Sequence, residues 1–317
     1  MWSPVNTGTG LQSNMQHKVR PTILVTGSNG QIGFELRRSL ATLGQVIALD
    51  RTTCDLGEPE AVRAAVRHWR PDVIVNAAGY TAVDKAESEA GLAFAVNSVA
   101  PGVLAEEAHA LGSLLVHYST DYVFAGTGSV PHAETDPVGP LSVYGKSKLA
   151  GEQAIAEAGA CALILRTSWV AGAHGENFAR TMLRLASVRD TLRVVDDQFG
   201  APTTASLIAD VTARIIDRAW LHGDRDAMPS GVYHLAAAGE TSWHGYATEL
   251  LRYAARKGAV FKADPDRIEP VVSTEFAQVA VRPANSRLDT RKLCETFDIY
   301  LPEWRTGVHH LVDQILS

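Results

Sequence analysis

The chain has little cysteine. Cys54, Cys161 and Cys294 are an odd number, far apart, and no pair has CxxC spacing. That argues against a disulfide framework and against a cysteine-based zinc centre. Reduced thiols in a cytoplasmic protein are the simplest expectation. Long apolar runs are also missing: none approaches the ~20 residues that a membrane-spanning helix needs. Positive charge is not in excess either, the formal net charge being -6. Nucleic acid and anionic membrane are therefore not expected partners, although a nucleotide can still bind in a pocket of local positive charge. No internal repeat, low-complexity block or flexible linker stands out. Residues 1–20 are polar and aperiodic, without the hydrophobic core of a signal peptide. They read as a flexible leader, with Met15 a candidate effective start just before the first strand.

What remains is 317 residues, 46% hydrophobic and 20% charged, enough for two domains or for one large domain with an appended lobe. Short apolar runs alternate with longer amphipathic ones up to about residue 170. TILVT at 22–26, VIAL at 46–49, VIV at 73–75, LLV at 114–116 and LIL at 163–165 read as strands buried on both faces. Residues 59–69 and 87–111 read as helices between them. Such alternation predicts an α/β fold, a doubly wound parallel sheet with helices on both faces. Beyond 170 the alternation weakens. Helices are expected at 177–187, 205–220 and 306–316, and a strand near 231–236 is expected to return to the main sheet. The expected division is a dinucleotide-binding domain at 21–170 and a smaller, mainly substrate-binding lobe at 171–317.

Gly27, Gly30 and Gly33 fall between the first strand and the first helix, as GxxGxxG rather than GxGxxG. Glycines there let the chain turn sharply and bring backbone N–H groups to a pyrophosphate, with the helix N-terminus adding partial positive charge. The position after the first strand is what makes the signal Rossmann-like. Asp50, at the end of the second strand, is placed to accept a hydrogen bond from an adenosine ribose 2′-OH, which favours NADH. Arg51 is placed to receive a 2′-phosphate, which favours NADPH, so the preference stays open. Asp55 and Leu56 would lie near the adenine. Asn76, after the third strand, is as consistent with a turn residue as with a functional one.

Tyr144 and Lys148 stand at i and i+4 of a predicted helix and so share a face. A phenol of ordinary pKa ~10 beside a fixed cation becomes a better proton donor or acceptor near neutrality. Thr120 follows the strand 114–116 at the carboxyl edge where open α/β sheets bind ligands. Its hydroxyl can donate to a carbonyl oxygen and steady the alkoxide formed there. Turn, Thr120 and the Tyr144/Lys148 pair, in that order, describe hydride transfer to or from a nicotinamide ring, with Tyr144 handling the proton.

On these residues the chain resembles the extended short-chain dehydrogenase/reductase superfamily, and within it the dTDP-4-dehydrorhamnose reductase family. The carrying segments are residues 27–33 (GSNGQIG), 76–89 (NAAGYTAVDKAESE), 117–124 (HYSTDYVF), 144–152 (YGKSKLAGE), 166–170 (RTSWV), 197–203 (DQFGAPT) and 285–288 (NSRL). The resemblance runs from Thr22 to the C-terminus. It implies reduction of the 4-keto group of dTDP-6-deoxy-L-lyxo-4-hexulose to dTDP-L-rhamnose with NADPH or NADH, in the supply of cell-surface polysaccharide precursors. It further implies that Tyr144 is the proton donor and that Lys148 orients the cofactor ribose. Thr120, Asp121, Tyr122 and Trp169 would contact the sugar, Trp169 being equally consistent with a plain core aromatic. Gly27, Gly30, Gln31, Ile32, Gly33, Asp50, Asp55, Leu56, Gly79, Tyr80 and Thr81 would line the cofactor. Family members are described as using Mg²⁺ and as monomers or homodimers. Glu35 is a candidate ligand by position, but an exposed first-turn glutamate at a helix N-terminus explains it without a metal. Where many relatives have Tyr after Ser-Trp-Val, this chain has Ala171.

Two rivals share the scaffold or the binding function. A nucleotide-sugar dehydratase of this group needs an Asp-Glu pair after the active-site threonine; here Asp121 is followed by Tyr122. A related 4-epimerase favours Phe at Gln31. A non-catalytic nucleotide-binding subunit, like the regulatory partner of methionine adenosyltransferase, predicts cofactor binding without turnover.

Overall fold

The structure, a computed structural model, describes residues 20–276 and 278–317. The leader and Met15 lie outside the described residues. The chain runs β1 (Thr22–Thr26), α1 (Gln31–Leu40), β2 (Gln45–Leu49), α2 (Pro59–Trp69), β3 (Val73–Asn76), α3 (Val83–Ala86), α4 (Ala90–Phe94), a π-helical turn Ala95–Val99, α5 (Ala100–Leu111) and β4 (Leu114–Thr120). It continues through α6 (Val143–Glu157), β5 (Ala162–Thr167), β6 (Val170–Ala171), α7 (Phe178–Val188), β7 (Arg193–Val195), β8 (Phe199–Gly200), β9 (Thr203–Thr204), α8 (Ala205–Ile215) and β10 (Gly231–His234). It ends with β11 (Thr241–Ser242), α9 (Trp243–Arg256), β12 (Glu269–Val271), α10 (Arg291–Phe297) and α11 (Trp304–Leu316).

Six strands form one parallel sheet in the order β10-β5-β4-β3-β1-β2. Alternate side chains divide between two cores, as the period of a strand requires. Ile23, Val25, Val73, Val75 and Val116 meet residues of α1, α8 and α10 on one face. Leu24, Ile74, Leu115 and Ile164 meet α2, α5 and Ile155 of α6 on the other. A third core joins α7, α9 and α11 into the smaller lobe. The chain beyond residue 170 thus divides between both parts, since α8 packs on α1 and β10 pairs with β5.

The expected helix at 87–111 is three pieces. Pro101 lacks the N–H that would continue the i→i−4 ladder, and the chain widens into the π-helical turn just before it. That turn aims the Asn97 side chain inward. Thr120 does not follow the strand but is the last residue of β4, and Asp50 lies just past the end of β2. Helices α9 and α10 were not anticipated. Among the described residues no helix is long and apolar enough to cross a membrane.

Candidate active site

The reversal of strand order at β1, with β2 on one side and β3 on the other, leaves a crevice at the carboxyl ends of these parallel strands. A cavity of about 810 Å³ opens there and runs toward the smaller lobe. The turn after β1 forms one wall. Gly27 has a φ of +66°, and a Cβ on it would fall 2.6 Å from the Ala78 backbone, so only glycine lets the turn lie against the end of β3. The Gly30 N–H donates to the Gly27 carbonyl at 2.9 Å. α1 then starts at Gln31 with Gly30 at its cap, where no side chain occupies the first-turn N–H groups. These stay available to an anionic oxygen. Gly33 serves differently: a Cβ there would sit 2.1 Å from the Gly27 carbonyl oxygen, so it packs α1 on the turn and does not line the cavity.

The structure brings Gly27, Gly30, Gln31, Ile32, Asp50, Asp55, Leu56, Gly79, Tyr80, Thr81, Thr120, Asp121, Tyr144, Lys148 and Trp169 to this one cavity. Tyr122 is not in its lining; the ring stands edge-on behind Tyr144, centroids 5.5 Å apart at 77°. Gln31 does more than line the wall. Its Oε1 accepts hydrogen bonds from the Gly172 N–H at 2.7 Å and from Asn177 Nδ2 at 2.9 Å, tying the start of α1 to the smaller lobe.

Asp50 is held by its own turn. Its carboxylate accepts from the Thr52 N–H and hydroxyl and from the Thr53 N–H, and these bonds hold its carboxyl down to about 2. Its second oxygen accepts from Asn29 Nδ2 at 3.0 Å. Arg51 is mostly exposed and lies 3.4 Å from the Asp55 carboxylate.

Ser142 caps α6 by accepting from the Gly145 N–H at 3.2 Å, which places Tyr144 in the first turn and Lys148 one turn on. Lys148 Nζ donates to the Tyr118 carbonyl at 2.5 Å and lies 3.2 Å from His117 Nε2. Burial pulls its ammonium down to about 8, with Glu152 pushing back. Thr120 Oγ1 accepts from the Tyr122 N–H at 3.1 Å and donates to Asp121 Oδ1 at 3.1 Å.

The expected acidification of Tyr144 by Lys148 is not what the site shows. Burial pushes the phenol up to about 12, against a lowering contribution from the Thr120 hydroxyl. The hydrogen bonds of Lys148 go to Tyr118 and His117, and desolvation dominates at the phenol. Trp169, half-buried with φ +50°, stacks on Trp243 of α9 at 3.7 Å, so a ligand meets a pair of indoles rather than an isolated one.

Glu35 corrects the expectation of an exposed first-turn residue. It lies in the second turn of α1, is buried, and accepts from Arg38 Nε at 3.2 Å. Among the described residues no group of three or more His, Cys, Asp or Glu side chains is placed to hold a metal ion.

Several residues here were not singled out from sequence. Asn97 clamps the loop after β3, accepting from the Tyr80 N–H at 2.8 Å and donating to the Tyr80 carbonyl and to Ser147 Oγ, both at 3.0 Å. Glu152 takes Arg166 in two bonds, 2.9 and 2.6 Å, and Ser119 Oγ at 2.5 Å, all buried. The Thr167 and Ser168 hydroxyls are buried without a protein partner at the cavity wall. Glu152 lies in the segment YGKSKLAGE and Thr167 and Ser168 in RTSWV, while Asn97 lies in no family segment.

Residues 21–317 match the family model described as the RmlD substrate binding domain. Over 296 residues the chain is 52% identical to a dTDP-4-dehydrorhamnose reductase of Burkholderia thailandensis, covering 93% of this chain and 99% of the relative. The chain belongs to the dTDP-4-dehydrorhamnose reductase family. The crystal structure of a member of that reductase family from Clostridium acetobutylicum superposes with a TM-score of 0.84 at 35% identity, covering 93% of this chain and all of the other. A Bacillus anthracis dTDP-4-dehydrorhamnose reductase solved in complex with NADP gives a TM-score of 0.84 at 31% identity, covering 93% of this chain and 99% of the other.

Proposed function

We propose that this chain reduces the 4-keto group of dTDP-6-deoxy-L-lyxo-4-hexulose to give dTDP-L-rhamnose, with Tyr144 as proton donor. Membership of the reductase family supports the reaction class. The observation that carries the residue assignment is the convergence of Thr120, Tyr144 and Lys148 on the cavity that the glycine turn opens.

The cavity fits a nicotinamide dinucleotide: uncapped N–H groups at one end answer a pyrophosphate, and Asp50 Oδ2 stands where a ribose hydroxyl can donate. When bound, the cofactor supplies the hydride. Everything else falls to the chain. Thr120 polarises the keto oxygen when its hydroxyl turns from Asp121 to the ligand, a nearby donor favouring the negative charge that develops there. A phenol pushed up to about 12 remains protonated at neutral pH and is therefore loaded as the acid. Lys148, as a cation, steadies the phenolate left when the proton has moved. The Trp169–Trp243 pair offers an apolar wall for the deoxysugar. Asp50 accepts an NADH ribose hydroxyl and Arg51 swings from Asp55 to a 2′-phosphate, so both cofactors serve. No step requires Mg²⁺. The chain acts alone or as a homodimer in the cytoplasm, without a partner protein.

The decisive experiment follows oxidation of NADPH and NADH with the keto sugar nucleotide, no other protein being added. Turnover by wild type and a loss of about 10²–10⁴-fold in Tyr144→Phe are expected. Cofactor binding without turnover would overturn the reading in favour of a regulatory subunit.

A further inference from the structure

Strand register sets Thr26 of β1, Asn76 of β3 and His117 of β4 side by side near the carboxyl end of the sheet. Two residues back on the same face of each strand stand Leu24, Ile74 and Leu115, members of the apolar core. The row replaces that core with polar groups that are themselves almost wholly buried. It is continuous: Thr26 Oγ1 donates to Asn76 Oδ1 at 2.6 Å, Asn76 Nδ2 is 2.9 Å from His117 Nδ1, and His117 Nε2 is 3.2 Å from Lys148 Nζ. A buried polar chain of this kind is costly unless every member is satisfied.

Counting donors fixes the protons. An ammonium can only donate. His117 Nε2 must then accept, which leaves the ring proton on Nδ1. That proton needs an acceptor, and the Asn76 oxygen becomes one once the amide is turned end for end from this placement, its nitrogen then facing Thr26 Oγ1. The two ends of an amide have the same shape, so the network decides between them. Burial and the Lys148 charge hold the imidazole well below its ordinary range, and the ring stays neutral.

We propose that His117 is a positioning residue for Lys148: its Nδ1–H tautomer, locked by Asn76 and Thr26, accepts a hydrogen bond from the ammonium. With the Tyr118 carbonyl it fixes two of the three N–H bonds and leaves the third for the cavity beside Tyr144. What Lys148 does there rests on the reductase reading; how it is held does not.

The arrangement has a pH signature. The titratable and charged groups around Lys148 are Glu152 on α6, itself shared with Arg166 of β5; His117 of β4; and Tyr144 and Asp121 at the cavity. The cation is the working form, so turnover falls as pH rises through its pKa. Removing the imidazole acceptor withdraws support from the cation and moves that alkaline limb to lower pH.

The test has two independent arms. In ¹⁵N-histidine NMR of the wild-type chain, with the His117 signal assigned from its loss in His117→Gln, the Nδ1–H neutral tautomer is expected from pH 6 to pH 8. An Nε2–H tautomer or an imidazolium would overturn the proposal, whether or not the enzyme turns over the keto sugar. In kinetics, His117→Phe is expected to lower kcat by up to about 10²-fold and to move the alkaline limb down. His117→Gln, whose amide oxygen reaches the place of Nε2, is expected to keep the limb where it is. A limb unmoved in a folded His117→Phe would overturn the proposal. If that variant fails to fold, the NMR result and a displaced limb in His117→Gln remain decisive against it. Failure of wild type to turn over would refute the reductase reading alone and leave the NMR arm standing.

Discussion

Asp121 is 2% exposed, and burial pushes its carboxyl up to about 6 against the Ser286 and Thr120 hydroxyls. Unfolded, an aspartate titrates near ~3.9. Between roughly pH 4 and pH 6 the native chain therefore binds more protons than the unfolded one, stability falls as pH rises through that window, and the cost is fully present above it. The difference between the two states corresponds to about 3 kcal/mol. Asp121→Asn is expected to melt a few degrees higher than wild type at pH 7.5 and nearly level with it at pH 4, while losing turnover. Thermal melts at both pH values check this, and an equal gain at both would contradict it. Arg51 makes the second prediction at this scale. Arg51→Ala is expected to raise KM for NADPH about tenfold, the loss of one charge-assisted contact, and to leave KM for NADH unchanged. Both residues were visible in the sequence because each adjoins a motif. Their settings were not, since the burial of Asp121 and the approach of Arg51 to Asp55 depend on how the chain folds around them.

Among the elements, the central strands were legible because short apolar runs encode them, and α6 because the Tyr144/Lys148 spacing marks one helix face. The apolar residues Tyr246, Ala247, Leu250, Leu251 and Ala254 recur at helical spacing in α9 as well, a signal that went unused. The π-helical turn before α5 is a different case. Its one fully buried side chain, Asn97, joins the Tyr80 loop to Ser147 on α6, and no periodicity announces a widened turn. Asn97→Ala leaves the Tyr80 backbone and Ser147 short of partners in the interior. A loss of about 1–3 kcal/mol is expected by chemical denaturation, together with weaker cofactor binding by titration. A variant as stable as wild type with unchanged affinity would show the clamp to be idle.

For the whole molecule the question is how the two parts are kept in register over one cavity. Gln31 reaches Gly172 and Asn177 from one side. From the other, Asp84 accepts from Arg282 Nη2 at 2.7 Å and from the Ala280 N–H at 3.1 Å. Those bonds, the Arg282 one foremost, hold the Asp84 carboxyl below its ordinary value. Its contribution is thus present above the unfolded pKa and lost as pH falls through the folded one. Asp84→Asn and Arg282→Ala are each expected to raise KM for the sugar nucleotide with less effect on kcat. A double-mutant cycle should give a coupling of about 1 kcal/mol; additivity would mean that the pair does not act as a latch. The sequence by itself determined the parallel sheet, the glycine turn and the Tyr144/Lys148 pair, because each is written in residues a few positions apart. Only the tertiary structure decided which polar groups meet. Thr26 finds Asn76 across 50 residues, Asn76 finds His117 across 41, and Gln31 finds Asn177 across 146. Such meetings are set by strand register and by the return of the chain over the sheet, and no local spacing encodes either.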